Sequence, residues 1–187
     1  MIRRPTVWQT VVDSYYPAAS PLRDVYMRHC SSVAALALDI ARSKYLNLPD
    51  TLVVDAAMLH DIGIFLTNAP SIQCRGTQPY ICHGYLGADL LRANGIEEEL
   101  ARVAERHTGA GITAEEIIAE HLPLPADRSY MPETLLEQLI CYADKFYSKS
   151  GDMQRKTFEQ ARASLARHNQ EGAERFDILH KMFSSED

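Results

Sequence analysis

A chain of 187 residues that is 46% hydrophobic and 24% charged is long enough to bury one substantial core without a second domain. Its formal net charge of -6 argues against a basic face laid along duplex nucleic acid, while leaving room for a small anionic ligand held by local positive charge. The longest wholly apolar runs, such as VAALAL at 33–38, fall far short of the roughly 20 residues that span a bilayer, and the opening MIRRPTVWQT has no apolar stretch of signal-peptide type, so a cytoplasmic protein with no membrane partner is expected.

No sustained alternation of apolar and polar residues marks a strand, whereas helical stripes recur from about residue 22 to the end; the expected fold is a single all-α bundle over 1–187. The first long helix runs through DVYMRHCSSVAALALDIARSK, where His29, Val33, Leu36 and Ile40 share one inward face. The second starts near Asp50, read as its N-cap, and ends at Gly63, read as a left-handed closing residue, so that His60 and Asp61 of MLHDIG fall in its last turn. A loop from about Asn68 to Cys82, with Pro70, Gly76 and Pro79, follows as a candidate lid or pocket wall.

The third helix, HGYLGADLLRAN, starts near His83 and stops before Gly95; the fourth, IEEELARVAERH, aligns Ile96, Leu100, Val103 and His107. A short helix from Thr113, with Glu116 completing a capping box, leads into the proline-broken loop LPLPADRSYMP. Next, ETLLEQLICYADKFYSK sets Leu136, Ile140, Asp144 and Tyr147 along one face, and two amphipathic segments at roughly 152–168 and 173–183 close the chain around Gly172. The four cysteines, Cys30, Cys74, Cys82 and Cys141, have no paired spacing and suit free, packing thiols in a reducing compartment.

His29, His60, Asp61, His83, His107 and Asp144 therefore interrupt otherwise apolar or small-residue faces on five helical segments. A lone inward histidine is usually a hydrogen-bonded core residue, but six such groups together are not explained that way. Two buried carboxylates without a counter-charge cost several kcal/mol, on the order of the penalty for desolvating an ion, or else neutralise; a divalent cation turns them into ligands. Imidazole and carboxylate suit iron, zinc, manganese and, through oxygen, magnesium, and six ligands exceed one tetrahedral site, so two divalent metal ions are expected.

The order His29, the HD doublet at 60 and 61, His83, His107 and Asp144 resembles the HD-domain superfamily of metal-dependent phosphohydrolases over roughly residues 22–150. The resemblance implies a helical bundle of HD type, a core metal site of His29, His60, Asp61 and Asp144, additional ligands His83 and His107 as in two-metal members, and Asp61 as bridging ligand. Among those members the motif order is most similar to the branch that includes symmetrical dinucleoside tetraphosphate hydrolases.

The implied activity is hydrolysis of a phosphate ester or anhydride of a nucleotide or dinucleotide, with a metal-activated water as nucleophile. Many relatives continue the doublet as HDIGK, where this chain has Ile64 in the lysine position. Lys145, beside Asp144, is the nearest substitute and is taken with Asp61 as catalytic; Lys149, Arg106, Arg128 and Arg75 are further candidates for phosphate contact but are read as solvated surface charges, and His121, His168 and His180 as exposed side chains. The same ligand types are similar to those of diiron HD-type oxygenases, and a regulatory domain that holds a nucleotide without turnover is a third alternative. Oligomer formation is left open.

Overall fold

The computed structural model describes residues 6–184, and among them the chain is built from nine α-helices with one minimal two-stranded ribbon. Helix α1 spans Val7–Tyr15, ahead of the region where the stripes begin; it buries only the adjacent pair Val11 and Val12, too little to write a periodic signal. Ser20 caps α2 (Pro21–Ser43) by accepting from the Arg23 N–H at 3.2 Å, and Pro21 fits the first turn because its missing N–H has no partner to lose there. His29, Val33, Leu36 and Ile40 are all buried, as the stripe predicts.

Helix α3 spans Asp50–Leu59, with Pro49 rather than Asp50 in the N-cap position. It stops one residue before the HD doublet, so His60 is its C-cap and Asp61 lies in the turn beyond, not in the last helical turn. Gly63 is right-handed (φ -85°), which overturns its expected left-handed closure. Its lack of a side chain serves packing instead: a Cβ would stand 2.3 Å from the His83 carbonyl oxygen and 2.5 Å from the Gly87 nitrogen.

The loop from 68 to 82 contains an antiparallel ribbon, β1 (Asn68–Ala69) with β2 (Cys74–Arg75), pairing Asn68 with Arg75 and Ala69 with Cys74. Strands of two residues are too short for alternation to appear in the sequence. Then follow α4 (His83–Ala93), α5 (Glu98–Arg106), α6 (Ala114–Ala119), α7 (Leu135–Asp144), α8 (Phe158–Ala166) and α9 (Gln170–Phe183). The capping box of Thr113 and Glu116 is formed, and Thr134 with Glu137 makes a second one at α7. Asn169 caps α9 by accepting from the Gly172 N–H at 2.9 Å, which draws Gly172 into the first turn rather than between two helices. No helix among the described residues is long and apolar enough to cross a membrane.

Helix α3 packs against α2, α5 and α7, and α7 packs in turn on α2 and α5. Fully buried Ala37, Ala57, Ala104 and Ala143, one from each of these helices, keep the elements slim where they meet. Helix α4 lies along α5, and the α8–α9 pair covers the far side of α7. Gly84 permits the close approach of α4 to α5, since a Cβ there would come within 2.9 Å of the Ala104 carbonyl oxygen. All four cysteines are free and buried, as expected.

Candidate metal centre

The six predicted residues meet at one point. His29 comes from the middle of α2, His60 and His107 cap the C-termini of α3 and α5, Asp144 ends α7, and His83 opens α4. Three helix C-termini thus converge, and their partial negative charge favours a cation. Asp61, fully buried, sits between two groups of imidazoles. Its Oδ2 lies 3.2 Å from both His29 Nε2 and His60 Nε2, and its Oδ1 lies 3.4 Å from His83 Nε2 and 3.3 Å from His107 Nε2. Asp144 Oδ1 is 2.9 Å from His29 Nε2 and 3.5 Å from His60 Nε2.

The ligand atoms fall into two overlapping groups that share Asp61: His29, His60, Asp61 and Asp144, and Asp61, His83 and His107, the atoms of each within 4.8 Å of one another. Their hydrogen bonding shows that they fit a metal. The Nδ1 atoms of His60, His83 and His107 lie 2.6, 2.6 and 2.8 Å from the carbonyl oxygens of Ala57, Tyr80 and Ala104. A carbonyl only accepts, so each Nδ1 carries the hydrogen and each neutral ring turns an Nε2 lone pair toward the centre. This is the arrangement that orients metal-ligating histidines.

Lone pairs and carboxylate oxygens then face one another: Nε2 of His83 and His107 are 3.0 Å apart, His60 Nε2 lies 3.3 Å from His29 Nε2, and the Asp61 oxygens take no hydrogen bond, with one ammonium, that of Lys149, 2.7 Å from Oδ2. Acceptors crowded this way are stable around positive charge. The titration behaviour shows the same pull on positive charge, which a proton on His60 Nε2 answers as a cation would. Burial opposes charge on His60, yet Asp61 and the neighbouring Cys30 and Asp144 outweigh it and hold its pKa well above the usual imidazole value. Burial and the neighbouring His107 push His83 down to about 3, leaving it a neutral donor. Burial raises Asp61 and Asp144, but Lys149 and His60 for the former, and Lys145 and Lys149 for the latter, hold both well below the ordinary carboxylate range.

Lys145 Nζ donates to Asp144 Oδ2 at 2.6 Å and to the His107 carbonyl oxygen at 3.0 Å, which ties the ends of α5 and α7 together at the centre. Lys149, expected as a solvated surface charge, is instead largely buried and ion-paired to Asp61 Oδ2 at 2.7 Å, its ammonium 6.0 Å from the centre of the Tyr80 ring. Nothing in the polar run YSKSGD marks that lysine, because its counter-charge, Asp61, lies almost ninety residues earlier in the chain. Tyr80 also stacks on His83, with ring centres 4.7 Å apart.

Three more surface readings are corrected. Arg106 is buried against Glu137 and Glu133, and Arg128 pairs with Asp89 and Glu105. His180 is half-buried, with Nδ1 2.8 Å from the Tyr142 hydroxyl and its ring stacked on Phe158. Arg75, His121 and His168 are exposed as expected.

The HD domain family model matches residues 26–149, and the chain belongs to the HD domain family. It is 36% identical over 162 residues to the tRNA (cytidine(56)-2'-O)-methyltransferase of Thermoplasma volcanium, covering 87% of this chain and 43% of that protein. It is 40% identical over 121 residues to an uncharacterised protein of Methanocaldococcus jannaschii, covering 63% of each. The chain thus spans less than half the length of the methyltransferase it matches. In fold it is similar to the HD domain of the L. monocytogenes phosphodiesterase PgpH, with a TM-score of 0.55 at 17% identity over 96% of each chain. The same domain crystallised with cyclic-di-AMP matches with a TM-score of 0.51 at 15% identity, over 96% of this chain and 98% of that one.

Proposed function

We propose that the chain is a metal-dependent phosphohydrolase acting on a phosphate ester or anhydride of a nucleotide. The supporting observation is the set of inward Nε2 lone pairs around Asp61, locked in that tautomer by three backbone carbonyls. His29, His60, Asp61 and Asp144 would hold one divalent ion and His83, His107 and the shared Asp61 a second, with iron, zinc, manganese and magnesium as candidates. Such ions supply a water acidified towards a pKa of about 7 and a counter-charge for phosphoryl oxygens.

The chain's own residues supply the rest. Lys149, buried beside Asp61, keeps positive charge where a substrate phosphate approaches, the part that Ile64 cannot play. Lys145, bonded to the Asp144 carboxylate, would support a leaving oxygen. The tRNA in the name of the Thermoplasma volcanium relative and the cyclic-di-AMP bound to the PgpH domain both put nucleotide phosphates first among the substrates to try.

Element analysis of the purified protein followed by a phosphate-release screen tests the proposal. The substrates are mononucleotides, dinucleoside polyphosphates, cyclic dinucleotides and phosphorylated RNA ends. Close to two equivalents of divalent metal and anaerobic phosphate release with manganese or iron are expected. Turnover that consumes dioxygen and requires iron would assign the site to the oxygenase chemistry instead, and metal-loaded protein that binds nucleotide without product would make it a sensor.

A further inference from the structure

A cleft of about 740 Å³ opens beside Asp144 and extends from the loop before α4 to the α8–α9 pair. Four lysines and arginines line it: Lys145, Lys149, Lys156 and Arg175. Three of these are neutralised in place, Lys145 by Asp144, Lys149 by Asp61, and Arg175 by Glu116 at 2.8 Å. Lys156 is different. Its backbone N–H donates to the Phe146 carbonyl oxygen at 2.9 Å, but its half-buried ammonium has no ion pair or hydrogen bond among the described residues.

An ammonium that is half removed from water and left unpaired is unfavourable unless a ligand supplies the missing charge. Its neighbours make the deficit larger. Burial, together with Lys145, Arg167 and Lys149, lowers the Lys156 pKa, and Asp144 offsets this only in part. Cations at the His/Asp cluster would draw on that same Asp144 charge, leaving this end of the cleft more positive still. The walls between are mixed, with Ser148 and Ser164 offering hydroxyl donors and Tyr147 and Leu165 apolar surface.

We propose that Lys156 marks a second anion subsite in this cleft, which takes a substrate phosphate other than the one at the His/Asp cluster. The substrate class is then a small organic molecule with at least two phosphate groups, not a simple phosphomonoester. This rests on the phosphohydrolase reading and narrows it.

The test uses pyrophosphate and orthophosphate as probes in calorimetric titrations with excess magnesium, on the wild-type protein, Lys156→Met and Lys156→Arg. Wild type binds pyrophosphate about tenfold or more tighter than orthophosphate, Lys156→Met loses that preference while its orthophosphate affinity and melting curve stay unchanged, and Lys156→Arg keeps it. A wild type without the preference, or a Lys156→Met protein that retains it, overturns the subsite. In turnover, Lys156→Met raises KM for a nucleoside diphosphate about tenfold, with kcat and the rate on p-nitrophenyl phosphate unchanged. Equal losses on both substrates would show a structural role instead. If the protein releases no phosphate from any compound, the hydrolase reading fails, and the pyrophosphate preference still decides the subsite.

Discussion

Arg106 and His107 are neighbours in the chain, yet they enter two buried clusters of opposite construction. Arg106 NH1 donates to Glu137 Oε2 at 3.1 Å and pairs with Glu133 at 2.8 Å, while the Glu133 backbone N–H also donates to Glu137 at 2.7 Å. Donors meet acceptors there, and of the Glu137 oxygens only Oε1 is left without a partner. Around His107 its own Nε2, that of His83 and Asp61 Oδ1 meet as acceptors facing acceptors. A polar cluster that serves the fold sets donors against acceptors; one suited to a cation turns several lone pairs toward a common space.

The sharpest way to break this contrast is Asp61→Asn. Turnover is expected to fall by a thousandfold or more, about 4 kcal/mol of transition-state stabilisation, with bound metal lost in element analysis and the fold retained by circular dichroism. Full activity in that variant would sink the dinuclear assignment.

Arg106→Met probes the other cluster. It strands the buried Glu137 carboxylate and should lower stability by about 3 kcal/mol in urea titration, while metal content in the folded fraction is unchanged. Metal loss without a stability change would show that the two clusters are not separate in kind.

Lys149→Met and Lys145→Ala sharpen the boundary between them. Both should reduce kcat roughly tenfold, the scale of one charge-assisted contact, with metals retained. Because the Lys149 ammonium and a cation compete for the same Asp61 oxygen, metal affinity in Lys149→Met should hold or rise, as read by competition with a chelating dye.

The smallest effect belongs to a solvated pair. Arg92 lowers Glu98 to about 2, below its ordinary value, so any stabilisation is present above about pH 4.5 and is lost as pH falls through 2. The Glu98 side chain is well exposed to water and Arg92 partly so, and Glu98→Gln should change stability at pH 7 by about 0.5 kcal/mol or less, with the difference vanishing in acid.

The candidate ligands on helices were readable where they interrupt a periodic apolar face: His29 continues the Val33, Leu36 and Ile40 stripe, and Asp144 continues that of Leu136 and Ile140. Helical periodicity converts such spacing directly into direction. The capping box of Thr113 and Glu116 was equally local. Position 63 shows the limit. A glycine after a helix suggests a left-handed end, but this one is required by contact with His83 and Gly87, some twenty residues on, and local sequence carries no record of that neighbour.

The sequence by itself therefore determined the helices from α2 onward, the inward imidazoles and carboxylates, and the kind of chemistry they suit, since all of these follow from residue type and period along one segment. Tertiary structure alone decided that Asp61 stands between two pairs of histidines, that Lys149 is buried beside it while Arg106 serves a different cluster, and that Lys156 is left without a partner in the cleft. Those are relations between segments distant in the chain, fixed by how closely slim helices approach and by which charges find counter-charges once they do.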